Sequence, residues 1–262
     1  MEDKNKLSIP AAIVFAGLLI AFGIIISNKK VVAPTTNNEV KGININLKPI
    51  SAEDHILGKL DAPIIIVEYS DLECPFCKVF HRTMHEVMDK YGKDNKVAWI
   101  YRQFPIDSLH SKARKEAEAT ECANELGGND GFWKFTDEVF GTTNSNNSLD
   151  LTVLPTIAKN VGLDVAKFNS CLSNGKYASK VQMEIEDAER AGAQGTPYSI
   201  VVMKNVLKDD TVNSINNYVS TNNLFDRGGN PYIAVSNDKK MVMLNGAMPT
   251  QIVDAVIKMI LK

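Results

Sequence analysis

Two cysteines with two residues between them, Cys74-Pro75-Phe76-Cys77, carry the most reactive chemistry in this 262-residue chain. A Cys-x-x-Cys pair at the first turn of a helix puts two sulfurs within disulfide reach and turns the second inward while the first stays accessible. One thiol can then attack and the other resolve. The unpaired amides and partial positive charge of a helix N-terminus favour a thiolate, so the expectation for Cys74 is a depressed pKa, a ready nucleophile and a good leaving group. Pro75 fits that position, because its missing N–H costs nothing in a first turn. A strong depression stabilises the reduced form and makes the disulfide more oxidising. The rival readings are half a metal site or an inert disulfide. A zinc centre is hard to assemble, since the other two cysteines, Cys122 and Cys171, are far apart and no second Cys-x-x-Cys accompanies them.

The elements around the dithiol place it at a strand-to-helix junction. Residues 64–69 form a β-branched run suited to a strand buried on both faces, and Asp61-Ala62-Pro63 is the turn before it. An amphipathic helix is expected from Cys74-Pro75 to about Tyr91, ended by Gly92, and residues 97–103 read as the next strand. Between residues 108 and 192 the pattern turns helical, with helices predicted near 110–126, 131–140, 152–161, 164–173 and 177–191. Gly195-Thr196-Pro197 precedes a β-rich run at 198–203. Strands are predicted again at 232–235 and 241–244, and an amphipathic helix at 251–261. The fold class is therefore α/β. Its parts are an N-terminal tail (1–8), an apolar segment (9–26), a linker and extended arm (27–50), a first α/β part (51–107), a helical insertion (108–192) and a second α/β part (193–262). The last contains an extra insert at 204–231, with a short helix near 211–219 and no assigned role.

The apolar run at 9–26 is about the minimum length for a bilayer-spanning helix, and an uncleaved transmembrane signal anchor is the favoured reading over a cleaved signal peptide. Lys29 and Lys30 balance Lys4 and Lys6, so the flanking charges leave its orientation open. A hydrophobic content of 44% supports a sizeable core, and a net charge of −2 without a basic, aromatic-studded stripe argues against nucleic acid as a partner.

Glu68-Tyr69-Ser70-Asp71-Leu72-Glu73-Cys74-Pro75-Phe76-Cys77, the helical insertion and Gly195-Thr196-Pro197 together resemble the DsbA-like branch of the thioredoxin superfamily. The resemblance covers about residues 50–203 and 232–262. It implies a thioredoxin-like fold with an inserted helical domain, and a thiol-disulfide oxidoreductase without a cofactor. Such an enzyme introduces disulfides into exported client proteins that bear free cysteines, through a mixed disulfide on Cys74. A membrane quinone-linked partner would reoxidise it, and the catalytic domain would face outside the cytoplasm. It implies also a cis Thr196-Pro197 bond facing the dithiol, where an ordinary turn is the alternative. Glu68 stands at the place of a buried acid able to relay protons to Cys77, or else forms a strand-end ion pair with Arg102. Phe76 departs from the His that the most oxidising members carry between their cysteines, which leaves the potential open.

By the same resemblance Cys122 and Cys171 are expected to form a structural disulfide, with two buried thiols as the alternative. His81 and His85 lie four residues apart on the first helix. No acidic or third ligand is apparent beside them, so a solvated or half-buried face, without a metal, is the expectation. Trp99, Phe132, Trp133, Phe135 and Phe140 read as core. Two rivals to an oxidase stand: an isomerase or reductase on the same scaffold, and a non-catalytic binding or chaperone-like module.

Overall fold

The computed structural model describes residues 40–262, and the apolar segment at 9–26 with its expected anchor lies outside them. Among the described residues no helix is long and apolar enough to cross a membrane.

Six strands form one sheet, in the order β1-β3-β2-β4-β6-β5. They are β1 (His55–Leu57), β2 (Ile64–Ser70), β3 (Val97–Gln103), β4 (Tyr198–Met203), β5 (Ile233–Val235) and β6 (Met241–Asn245). Only β2 and β3 run parallel, joined across α1 (Pro75–Val87), and every other pairing is antiparallel. The central strand β2 is buried along its whole length because both faces are covered. Its alternation divides the core in two. Ile64 and Ile66 join one apolar cluster with Phe80 and Met84 of α1, whereas Ile65, Val67 and Tyr69 join a second with Val181, Ile185 and Ala188. Glu68 has the parity of Ile64 and Ile66, so it lies on the α1 face.

The insertion consists of α2 (Ala113–Thr142), α3 (Leu154–Asn160), α4 (Val165–Ser173) and α5 (Ala178–Arg190). The two helices expected at 110–126 and 131–140 meet within the span labelled α2, at a kink on Gly128 whose φ of 62° and ψ of −163° are not helical. That backbone favours glycine. Three residues on, a Cβ at position 131 would meet the carbonyl oxygen of Ala123 at 2.8 Å, so only glycine lets the turns on either side of the kink close up.

The segment at 43–47 forms no strand and touches the sheet through an isolated bridge from Ile43 to Ser236. The edge beside β3 is taken by β1, a three-residue strand too short to show periodicity. The first helix also ends earlier than Gly92, passing at Met88–Gly92 into a wider π-type turn. Within the 204–231 insert, α6 (Asp209–Thr221) buries Ile215 and Val219, and α7 (Thr250–Ile260) closes the chain over the same core.

Candidate active site

Cys74 is the N-cap of α1 and Pro75 its first residue, so the helix begins where its missing N–H is harmless. The β2-to-α1 loop is held by Asp71. Its Oδ1 accepts from the Glu73 amide at 2.8 Å, and its Oδ2 from the Ile106 amide and His110 Nδ1, each at 2.8 Å. The Cys74 amide in turn donates to the Asp71 carbonyl at 3.1 Å. Asp71 and His110 thus fix the approach to the helix, a task nothing in their sequence spacing announced.

Cys74 and Cys77 are both thiols here. Cys77 is fully buried and Cys74 retains 5% exposure, less than a first-turn position suggested, because the segment around Thr196 covers it. The Phe76 side chain between them is 65% exposed and, being apolar, offers neither sulfur a hydrogen bond. The two thiols are electrically unlike. The Cys77 thiol, hydrogen-bonded to Cys74, lowers the Cys74 pKa to about 6 against the cost of burial, assisted by Thr196 and by the backbone amides of Phe76 and Cys77. Burial pushes Cys77 well above its ordinary value, and the charges of Cys74 and Glu68 add to the rise. The Asp71 amide donates to Cys77 Sγ at 3.4 Å.

Opposite the dithiol, the Thr196–Pro197 peptide bond is cis, and the Thr196 carbonyl accepts from the Cys74 thiol at 3.5 Å. Beneath it, Glu68 is fully buried. Trp99 Nε1 donates to its Oε2 at 3.0 Å, while Oε1 has no protein partner. Burial raises this carboxyl to about 7. Register explains the grouping: Glu68 pairs with Tyr101 and Ile66 with Trp99, so both aromatics share its face. The hydroxyls of Ser70 and Tyr101 are likewise buried without protein partners. The ion pair from Glu68 to Arg102 does not form, because successive β3 residues face opposite ways. Arg102 binds Asp54 and Asp187 on the far side of the sheet.

Cys122 and Cys171 are bonded across α2 and α4, with Cα atoms 5.9 Å apart. His81 and His85 do not sit on a plain solvated face. Asp137 of α2 reaches both, a carboxylate 52 and 56 residues away in sequence that no local pattern pointed to.

A sheet with an α1 dithiol facing a cis-proline segment, interrupted by four helices, defines a thioredoxin-like fold. The model of a thioredoxin family matches residues 51–220, and the chain belongs to that family. Its fold is similar to that of DsbA-type proteins. Among solved structures, alpha-DsbA1 of Wolbachia pipientis aligns over 86% of this chain and 96% of its own, at 23% identity and a TM-score of 0.58. Oxidised BdbD of Bacillus subtilis aligns over 62% and 89%, at 25% identity and a TM-score of 0.53. Among curated proteins, a Na+/H+ antiporter NhaA 1 of Mycolicibacterium gilvum is 32% identical over 154 residues, 58% of this chain. The chain spans about a quarter of the length of the curated relatives it matches, 24% in that case.

Proposed function

We propose that this chain is an extracytoplasmic disulfide oxidase, anchored in a membrane by residues 9–26, that donates the Cys74–Cys77 disulfide to exported proteins. The observation that carries the reading is the asymmetry of the two thiols: Cys74 is lowered to about 6 and Cys77 is raised well above its ordinary value. A low-pKa first cysteine stabilises the reduced enzyme, which makes its disulfide a strong oxidant.

In the proposed cycle a client thiolate attacks Cys74 Sγ. The Cys74–Cys77 bond breaks, a mixed disulfide forms on Cys74, and Cys77 leaves as a thiolate. Glu68, half-protonated near neutrality, supplies the proton that this buried sulfur requires. A second client thiolate then attacks the client sulfur of the mixed disulfide and expels Cys74, which departs easily as a stabilised thiolate. Two electrons pass from the client dithiol to the enzyme dithiol. A membrane quinone-linked partner takes them up in turn. The Thr196 carbonyl accepts from the Cys74 thiol only while that sulfur is protonated; as a thiolate or in a disulfide the sulfur leaves the carbonyl free to pair with an extended client backbone beside Pro197. The Cys122–Cys171 bond supports an oxidising compartment, where such bonds persist.

A glutathione redox titration, paired with the pH dependence of Cys74 alkylation, tests the reading. The expected result is a potential far above the roughly −270 mV of thioredoxin, with half-maximal thiolate near pH 6. A potential at the thioredoxin value would make the enzyme a reductase instead. Carbonate extraction of the full chain from membranes tests the anchor, which predicts that the protein stays in the pellet.

A further inference from the structure

All four histidines of the chain contact carboxylates, but two of them share one oxygen. His55 binds Glu121 and His110 binds Asp71, each an ordinary buried pair. His81 Nε2 and His85 Nε2, by contrast, both lie against Asp137 Oδ1, at 2.7 and 2.9 Å, and 3.2 Å from each other. Three ligand-type atoms therefore form one small triangle. We propose that His81, His85 and Asp137 bind a single divalent transition-metal ion of the zinc type, with water completing the coordination.

The size of the triangle fits. A tetrahedron built on metal–ligand bonds of about 2.0 Å has edges of about 3.3 Å, so the three atoms need to spread by only a few tenths of an ångström. Protons satisfy the cluster poorly. If both imidazoles donate to Asp137, two N–H groups crowd one oxygen with their nitrogens 3.2 Å apart, and if one does not, two lone pairs face each other. One dication takes the place of both protons. Two imidazoles and a carboxylate with an open position are the donor set such ions prefer.

The ligands are also held in advance. His81 and His85 sit one turn apart on α1. The His81 ring is buried against Phe140, Trp99 and Trp133, with centroids at 4.5, 5.1 and 6.5 Å, and Asp137 comes from α2. His85 and Asp137 are open to solvent, which leaves a path for the ion and room for water. Lys78, which lines the same pocket, turns its ammonium to the Thr143 carbonyl and away from the cluster. Arg82 at the pocket wall and the unpartnered Nδ1 of His81 both weaken the site, so it is an exchangeable site and not a structural one.

Thiolates bind the same ions, so the test uses the full chain without a polyhistidine tag and with Cys74–Cys77 oxidised. Co2+ is titrated and its visible absorption followed, then Zn2+ is added in competition. The expected result is one Co2+ per chain, with bands that carry no sulfur charge-transfer absorption and are lost to Zn2+. His85→Ala and Asp137→Asn should each weaken binding by roughly tenfold or more, while near-ultraviolet dichroism from Trp99 and Trp133 shows the fold intact. The proposal is overturned if wild type takes up no saturable equivalent, or if both variants bind as wild type does; the cluster is then a hydrogen-bonded clamp between α1 and α2.

Discussion

Trp99 donates its indole N–H to Oε2 of Glu68 across 3.0 Å, from the neighbouring strand and on the same face of the sheet. The other carboxyl oxygen is buried with no protein partner, and burial holds the acid at about 7 against an ordinary 4.5. The folded protein therefore keeps this proton between those values while the unfolded chain gives it up. Stability must fall as pH rises from about 4.5 to about 7 and then level off. Glu68→Gln, whose amide oxygen still accepts from Trp99, removes that fall and should make the oxidised protein more stable at pH 8 by up to roughly 3 kcal/mol. Urea unfolding of both proteins across this pH range checks it. Trp99→Phe takes away the indole donor and should move the step to higher pH.

Cys74 has the opposite linkage. Its folded pKa of about 6 lies below the ordinary 9.0, so its ionisation stabilises the reduced protein fully above about pH 9, and that contribution is lost as pH falls through 6. Cys77 stays protonated through that window and takes no part. The stability of the reduced form relative to the oxidised form should therefore increase from pH 6 to 9, by on the order of 1.4 kcal/mol for each pKa unit. Paired denaturation of the two redox forms measures it, because the Glu68 titration is common to both and largely cancels. A flat difference across the window would show that Cys74 is an ordinary thiol.

Strong local signals made much of this fold readable from the chain. Residues 64–69 form a continuous β-branched run, and Pro75 followed by apolar positions at helical spacing marks α1, so strand, helix and dithiol fall where the pattern puts them. What local pattern cannot carry is register and long-range pairing. Trp99 reads simply as a core residue, and only the β2–β3 register brings it and Tyr101 onto the face of Glu68. Arg102, adjacent in sequence to Tyr101, looked equally able to reach Glu68, yet strand alternation sends it to the other face. Asp137 lies more than fifty residues from the histidines it joins, and its arrival depends on how α2 continues past Gly128. The glycines at 127, 128 and 131 do mark the break between two helices, but the φ and ψ at Gly128 that set the angle between them are not legible in the residue itself.

Loss of the second cysteine pair should cost stability and leave the chemistry intact. Cys122 and Cys171 are 49 residues apart, and opening a loop of that length releases unfolded-chain entropy worth about 4 kcal/mol. Cys122→Ala with Cys171→Ala should lower the melting temperature by several degrees, with the Cys74 alkylation profile against pH unchanged. A shift in that profile would mean that the bond between α2 and α4 positions the dithiol as well as the insertion.

Arg102 offers a sharper separation of stability from chemistry. It is almost fully buried, with Nε and Nη2 on Asp54 at 2.8 and 3.1 Å and Nη1 on Asp187 at 2.9 Å, while Tyr69 donates to Asp187 Oδ2 at 2.5 Å. Arg102→Met fills much of the volume but leaves two buried carboxylates without their cation, a change that typically costs about 3–5 kcal/mol. The network lies with Ile100 and Tyr69 on the α5 face of the sheet, and Glu68, Trp99 and the dithiol lie on the α1 face. The sheet itself lies between them. Arg102→Met should therefore lower the urea midpoint of the oxidised and reduced forms equally, leaving the redox equilibrium constant with glutathione where it was. An unequal loss would show that the α5 face reaches through β2 to the sulfurs, and that the alternation of one strand does not insulate the chemistry from the scaffold.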